Sequence, residues 1–370
     1  MTQDPSLQWD VFCRVIDNHG DLGVCLRLAR HLTARGDRVR LWVDDAKALA
    51  WMANGPEEHL WVHPWPTHVW SPPTAHQVVL ETFGCHLPSC VERELGKSPP
   101  LAWINLEYLS AEPWVERAHG LPSPVMSGPA KGLSKRFCYP GFTARTGGLL
   151  TQSSHEERLP NEGNVTLEPA PQRNVPRQVS LFCYPHAPLA ALFQRLADRP
   201  TQVWVAGSAD LQRAALESWR QLPKHQQSLL QLESLTWMNQ SAYDALLQRC
   251  DLNVVRGEDS FVRAQWAGRP WLWHIYPQSD GSHAIKLDAF LDRWLEGIDP
   301  GHVAAWRQTW RAWNGLTAPT CLANNRADGL DEDGLTHARA WRDRLRRLPD
   351  LASTLRAWAR DNPSNVIATR

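Results

Sequence analysis

The sequence predicts an α/β protein of two domains, each built on a mostly parallel sheet, and three observations predict it. Near the start, an apolar run, a glycine-containing turn and an amphipathic stretch lead into a second apolar run. After a polar tract at 151–178 the same alternation begins again. With 370 residues, the chain is long enough for two cores of ordinary size.

Taken in order, residues 9–16 predict a strand. Residues 22–34 predict a helix with Leu22, Cys25, Leu28 and Leu32 on one face. Gly36 stops it, and "RVRLWV" (38–43) returns as a strand, which completes a βαβ unit and implies a parallel sheet. "QVVLETFG" (77–84) and "LAWINLEYL" (101–109) predict two further strands, each running into a polar or glycine-containing end. The tract 151–178, rich in Pro, Asn and Glu, reads as an interdomain connection. Beyond it, strands at 178–184, 201–207, 251–257 and 269–277 are interleaved with helices at 187–198, 241–250 and 260–268. Gly268 and Pro270 stop the last of these. From about residue 283 the pattern is helical and rich in Arg and Trp. The expected division is a first domain at 1–155, a linker at 156–177, a second domain at 178–345 and a helical tail at 346–370 that can pack back on the first domain.

Lys plus Arg equals Asp plus Glu, at 39 each, so no bulk field draws the protein to nucleic acid or anionic lipid. The eight cysteines are scattered, without a CxxC pair, and several lie inside apolar runs. They predict buried thiols in a reducing compartment, not a disulfide frame or a zinc site. There is no signal-like start and no run of eighteen apolar residues, so a cytoplasmic protein is expected. Tryptophans such as those of "WRQTWRAWNG" (306–315) are expected to pack helices, with a carbohydrate platform as the alternative.

Two loops carry chemistry. "RVIDNHGDLGVCLRLAR" (14–30) joins the first strand to the first helix and holds Asp17 and Asp21 where a phosphate usually sits. It lacks G-x-G-x-x-G, two carboxylates repel a pyrophosphate, and Asp44 and Asp45 are a poor imitation of a ribose-binding acid. A dinucleotide site is therefore rejected. Either Asp21 is the N-cap and Asp17 a turn-former, or the pair meets a cation or a proton. A carboxylate matches a guanidinium in a bidentate way.

The other loop is "VVRGEDSFVRAQWAG" (254–268). Amides around Asp259, Ser260 and Phe261 at a helix N-terminus make an anion site, and Arg256 adds paired donors for a diphosphate. Ser260 can cap or donate. Glu258 and Asp259 are expected to accept from sugar hydroxyls or to orient Arg256. The alternative is an ordinary helix capped by Asp259 or Ser260. In "LTWMNQSAYDALLQRCD" (235–251), Trp237 and Gln240 suit a stacked, hydrogen-bonded nucleobase, unless Trp237 is core and Gln240 a loop residue. Tyr184 ends "LFCY", and Tyr276 and Gln278 follow another strand. His19 and His186 lie in loops, but no histidine pair has metal spacing.

"WDVFCRVIDNHGDLGVCLRLARHL", "RGEDSFVRAQWAGRPWLWHIYPQ", the intervening "LFCY" and "AYDALLQRCD" together resemble the elongation factor P arginine rhamnosyltransferase family, EarP, over most of the chain. The resemblance implies a GT-B glycosyltransferase, two Rossmann-like domains facing a central cleft. It implies transfer of L-rhamnose from dTDP-β-L-rhamnose to an arginine of translation elongation factor P, with inversion and with neither cofactor nor metal. The family's base matches Asp21, with Asp17 and Glu258 the accompanying catalytic carboxylates. Asn18, His19 and Gly20 fall in the same acidic loop. Arg256, Gly257, Asp259 and Ser260 match the diphosphate and ribose loop, Trp237 and Gln240 the thymine pocket, and Tyr184 and Tyr276 tyrosines near the donor. His19 stands where the family pattern has Phe or Tyr. Two rival classes remain on the residues alone: another GT-B enzyme with a non-protein acceptor, and a non-catalytic module that grips a translation factor.

Overall fold

The structure is a computed structural model and describes residues 5–15, 19–53, 55–72, 74, 77–151, 176–325 and 329–361. Asp17, Asn18 and all of the expected linker except 176 and 177 lie outside the described residues. Two compact units emerge: Met1–His155 with Arg347–Arg370, and Glu156–Arg346.

The first unit contains β1 (Gln8–Cys13), α1 (Gly20–Thr33), β2 (Arg38–Val43), α2 (Leu49–Met52), β3 (Leu60–Pro64), β4 (Val78–Thr82), α3 (Ser89–Lys97), β5 (Ala102–Leu106), α4 (Val115–Ala118), β6 (Pro122–Pro124) and β7 (Ser134–Cys138). They form one sheet in the order β3-β2-β1-β4-β5-β7-β6, parallel except for the β6–β7 pair. The chain runs outward from β1 to β3 and then returns to the other flank of β1 as β4. The order therefore reverses between β1 and β4. β4 and β5 are buried along their whole length, as central parallel strands covered on both faces must be. Leu22, Cys25, Leu28 and Leu32 of α1 are all fully buried against this sheet, so the helical spacing marks the packed face.

The second unit contains β8 (Arg177–Leu181), α5 (Leu189–Leu196), β9 (Thr201–Ala206), α6 (Ala209–Arg220), α7 (Lys224–Gln227), β10 (Leu230–Leu235), α8 (Gln240–Arg249), β11 (Leu252–Arg256), α9 (Asp259–Ala267), β12 (Trp271–His274), α10 (Ser282–Trp294), α11 (Pro300–Trp313), α12 (Thr320–Asn324) and α13 (Glu332–Leu345). Its sheet, β10-β9-β8-β11-β12, is wholly parallel and reverses between β8 and β11. Gly268 ends α9 in the left-handed region at φ 62°, and a Cβ there would meet the Arg342 guanidinium at 2.8 Å. Trp294, Trp306 and Trp310 are buried with ring centroids 4.9–5.5 Å apart, so these tryptophans pack helices and offer no carbohydrate platform.

The last helix, α14 (Leu351–Asp361), belongs to the first unit. Leu351, Ala352, Leu355 and Ala359 join the core of α1 and β1, and Arg356 donates to the Arg35 carbonyl and to Asp37, each at 3.2 Å. All eight cysteines are free thiols, seven of them buried. Among the described residues no helix is long and apolar enough to cross a membrane.

The expected strands 9–16, 77–84, 101–109 and 269–277 all run past their true carboxyl ends. The structure ends them at Cys13, Thr82, Leu106 and His274. After β4 the chain leaves the sheet through Phe83 at φ 53° and Gly84 at φ 65°. Apolar residues continue beyond each strand, some of them packed, as Phe83 and Ile275 are, and pattern alone cannot tell a packed loop from a strand.

Candidate functional site

In open parallel sheets, ligands bind beyond the carboxyl ends of the strands where the order reverses. That rule selects the β1–α1 connection in the first unit and the ends of β8 and β11 in the second, beside which β12 runs.

His19 caps α1 through its backbone, with no side-chain cap bond, and its carbonyl accepts the Gly23 amide at 2.9 Å. The helix begins at Gly20, not at residue 22, so Asp21 lies within its first turn and is not the N-cap. Asp21 is 4% exposed. A carboxylate there sits at the positive pole of the helix. The His19 ring stands edge-on to Trp51, with centroids 5.3 Å apart. Beneath the loop, Cys25 donates to the Thr82 hydroxyl at 3.5 Å and Thr82 donates to the Phe12 carbonyl at 2.8 Å. Its hydrogen bond with Cys25, burial, and then the charges of Cys25 and Asp21 push the Cys13 thiol well above its ordinary range. Asp44 is occupied locally: it accepts the Val15 amide at 3.0 Å.

In the second unit, Arg256 ends β11, and its guanidinium lies over the rings of Phe182, at 4.8 Å, and Tyr184, at 4.5 Å. Among the described residues no carboxylate comes within ion-pair distance of Arg256. Tyr184 is buried and touches Tyr276 edge-on at 5.6 Å; Tyr276 is half exposed. The Tyr184 amide donates to His274 Nδ1 at 3.2 Å. Burial, and then the nearby charges of His186 and Arg256, bring His274 down to about 3, so it is a neutral acceptor at physiological pH. Sequence reading missed His274, because a histidine inside "WLWHIY" carries no spacing signal.

Gly257 follows at φ 59°, a left-handed turn that suits glycine, and its carbonyl accepts Trp273 Nε1 at 2.7 Å. Glu258 is the cap position of α9, without a side-chain cap bond, and Asp259 is the first helical residue. Neither Asp259 nor Ser260 is therefore the N-cap. The Ser260 hydroxyl instead braces the turn, accepting the Arg256 amide at 3.2 Å and donating to the Arg256 carbonyl. Asp259 pairs with Arg263 at 3.3 Å. Arg263, almost fully buried, also binds Asp244 at 2.6 Å and the Gln240 carbonyl. One buried guanidinium thus ties the first turn of α9 to the first turn of α8. The i, i+4 spacing of Asp259 and Arg263 was its only trace in the sequence.

Gln240 opens α8 and is 5% exposed, so it is a helix residue and not a loop residue. Asn239 caps that helix, accepting the Ala242 amide at 2.8 Å. Trp237 is 44% exposed and is not a core residue. The second unit thus gathers Arg256, Gly257, Glu258, Asp259, Ser260, Tyr184 and Tyr276 around adjacent strand ends. Gln240 is joined to them through Arg263. In the first unit, His19, Gly20 and Asp21 open α1.

The family model for Elongation-Factor P (EF-P) rhamnosyltransferase EarP matches residues 9–360. The chain is 40% identical to the protein-arginine rhamnosyltransferase of Pseudomonas putida over 94% of this chain and 97% of that one. It is 38% identical to the protein of the same name from Pseudomonas aeruginosa, with the same coverage. Its fold superposes at a TM-score of 0.58 on a solved structure described as "Structural basis for EarP-mediated arginine glycosylation of translation elongation factor EF-P". That match is at 27% identity and covers 96% of this chain and 99% of the other. Spinosyn Rhamnosyltransferase SpnG shares the fold at a TM-score of 0.53 and 15% identity, over 95% of this chain and 99% of its own. The chain is a GT-B glycosyltransferase and belongs to the EarP family.

Proposed function

We propose that the protein transfers L-rhamnose from dTDP-β-L-rhamnose to an arginine of translation elongation factor P, with inversion and without a metal, in the cytoplasm. The observation that carries the reading is opposite charge at equivalent places. A buried carboxylate, Asp21, stands at the reversal point of one sheet, and a guanidinium without a carboxylate partner among the described residues, Arg256, stands at that of the other. The first suits a cationic acceptor and the second a diphosphate. The names of the relatives and of the similar solved structure support the protein acceptor, and the free thiols support a reducing compartment.

An arginine guanidinium is a poor nucleophile because its lone pair is delocalised and it stays protonated. In the proposed step its nitrogen attacks the anomeric carbon while the bond to the diphosphate oxygen breaks. Asp21 takes the proton, with Asp17 and Asn18 helping to hold the acceptor. Base assistance of this kind is worth roughly 10²–10⁴-fold. dTDP leaves, and Arg256 with the first turn of α9 stabilises its charge. Glu258 and Asp259 accept from sugar hydroxyls. Trp237 stacks on thymine, and Gln240 and Tyr276 line the donor.

Intact-mass spectrometry of elongation factor P after incubation with this protein and dTDP-β-L-rhamnose should show one added deoxyhexosyl residue. A donor consumed only with another acceptor, or no transfer at all, overturns the reading. Trp237→Ala should weaken dTDP binding by about 1–3 kcal/mol, as expected for loss of a stacked base. Because Trp237 is half exposed, thermal unfolding should change little; a large loss of stability with unchanged dTDP affinity would make it structural.

Recognition should need the folded acceptor. The net charge is zero, so no broad field gathers a basic peptide. Capture of one guanidinium also falls far below the roughly 1,200 Å² of a specific interface. The further surface is assigned to the carboxyl ends of β4 and β5 and the loops that follow them, at 81–84 and 105–110. Expected kcat/KM for a linear peptide bearing the same arginine is more than about tenfold below that for the intact domain, through the cost of ordering it. Equal values would leave the carboxylates as the whole acceptor site.

A further inference from the structure

On one face of the first sheet, Glu81 of β4 and Asn105 of β5 are paired in register, and Glu107, two residues beyond Asn105, directly follows β5. The two carboxylates differ. Glu81 is buried and held by Lys135 at 2.7 Å. Glu107 has no Lys, Arg or His within ion-pair distance among the described residues, and its Oε1 accepts from Asn105 Nδ2 at 2.7 Å. Asn105 is 8% exposed, and its Oδ1 is buried without a hydrogen-bond partner. Burial holds Glu107 above the ordinary carboxylate range; the Asn105 donor opposes this, and the charge of Glu81 adds to it. The Glu107 carboxylate thus stands without a cation partner among the described residues, held by the Asn105 amide.

Nearby loops are aromatic and accessible. Tyr108, 36% exposed, stacks on Phe83 at 4.7 Å, and Trp114, 43% exposed, meets Tyr139 edge-on at 5.2 Å. Phe83 holds its ring there from a left-handed backbone, φ 53°, which a non-glycine residue adopts at a cost. Aromatic faces beside an uncompensated carboxylate favour an organic cation. Among the described residues no group of three or more His, Cys, Asp or Glu side chains is placed to hold a metal ion.

We propose that Glu107 and Asn105 form a second cation subsite, which takes a lysine or arginine side chain of the protein acceptor other than the arginine that is modified. The proposal rests on the protein-acceptor reading above. β5 lies two strands from β1, so Glu107 and the Asp21 loop are separated by about 10 Å across the sheet, too far for one guanidinium to serve both. A basic side chain would give Glu107 its counter-charge, while the Asn105 amide, donating to Glu107 at 2.7 Å, holds that carboxylate in place. Two basic side chains at a fixed spacing would distinguish one arginine on a folded surface from the many others in a cell.

The test uses the full chain and the intact acceptor domain. Glu107→Gln is expected to raise KM for the acceptor about tenfold, the loss of one charge-assisted hydrogen bond, with kcat, dTDP affinity and thermal unfolding unchanged. Glu107→Lys should raise KM further. One neutralised lysine or arginine on the acceptor should give the same loss, with no further loss when combined with Glu107→Gln. Unchanged KM in both variants, or full additivity with every basic residue of the acceptor, overturns the subsite. If the wild-type chain modifies no protein at all, it is the protein-acceptor reading that fails.

Discussion

Asp21→Asn is expected to lower transfer by roughly 10²–10⁴-fold, the range of general base assistance, while dTDP affinity stays unchanged. His19, not Asp21, occupies the cap position of α1, so the change leaves the cap residue in place. It removes a negative charge in the first helical turn, worth about 0.3–1 kcal/mol of stability at most sites. Asn has nearly the shape of Asp, so the buried position keeps its packing. The measurements are single-turnover transfer, calorimetric dTDP binding and thermal unfolding, on one preparation. A fall in dTDP affinity that matches the fall in activity, or a loss of several kcal/mol in stability, would falsify the base assignment and leave Asp21 as a structural residue.

Arg256→Ala is expected to weaken dTDP binding by about 1.5–3 kcal/mol, the worth of a charged hydrogen bond, or roughly 10–150-fold. The guanidinium stays at the end of β11 because Phe182 and Tyr184 support its face, not because a carboxylate among the described residues pairs with it. Its removal therefore strands no buried acid, and folding should survive. The neighbouring Arg263 is the contrast. It satisfies Asp244 and Asp259 in the interior, so its loss would leave two carboxylates without their cation. Unchanged dTDP affinity in Arg256→Ala moves the diphosphate elsewhere and separates the family's donor chemistry from this loop.

The local signals in the sequence determined a good deal. The βαβ start was legible because Leu22, Cys25, Leu28 and Leu32 recur at helical spacing, and all four are buried. Gly268 marked the end of α9 because only glycine adopts a left-handed cap cheaply next to the Arg342 side chain. Trp306, Trp310 and Trp313 lie on one helical face and are core. The two loops that carry Asp21 and Arg256 were found because a glycine turn with acids, and an arginine before a helix start, are unusual within a few residues. The tertiary structure decided what depends on distant residues. β3 (LWVHP) is a short, largely exposed edge strand that ends in Pro64, and β7 (SKRFC) carries few apolar residues; both are strands because β2 and β5 pair with them. The strand orders that place both loops at reversal points follow from crossover connections, not from any local pattern. Arg263, His274 and the Asn105–Glu107 pair gained their parts in the same way. A side chain's charge and hydrogen bonds are settled by what the fold packs around it, and those neighbours are often far away in the chain.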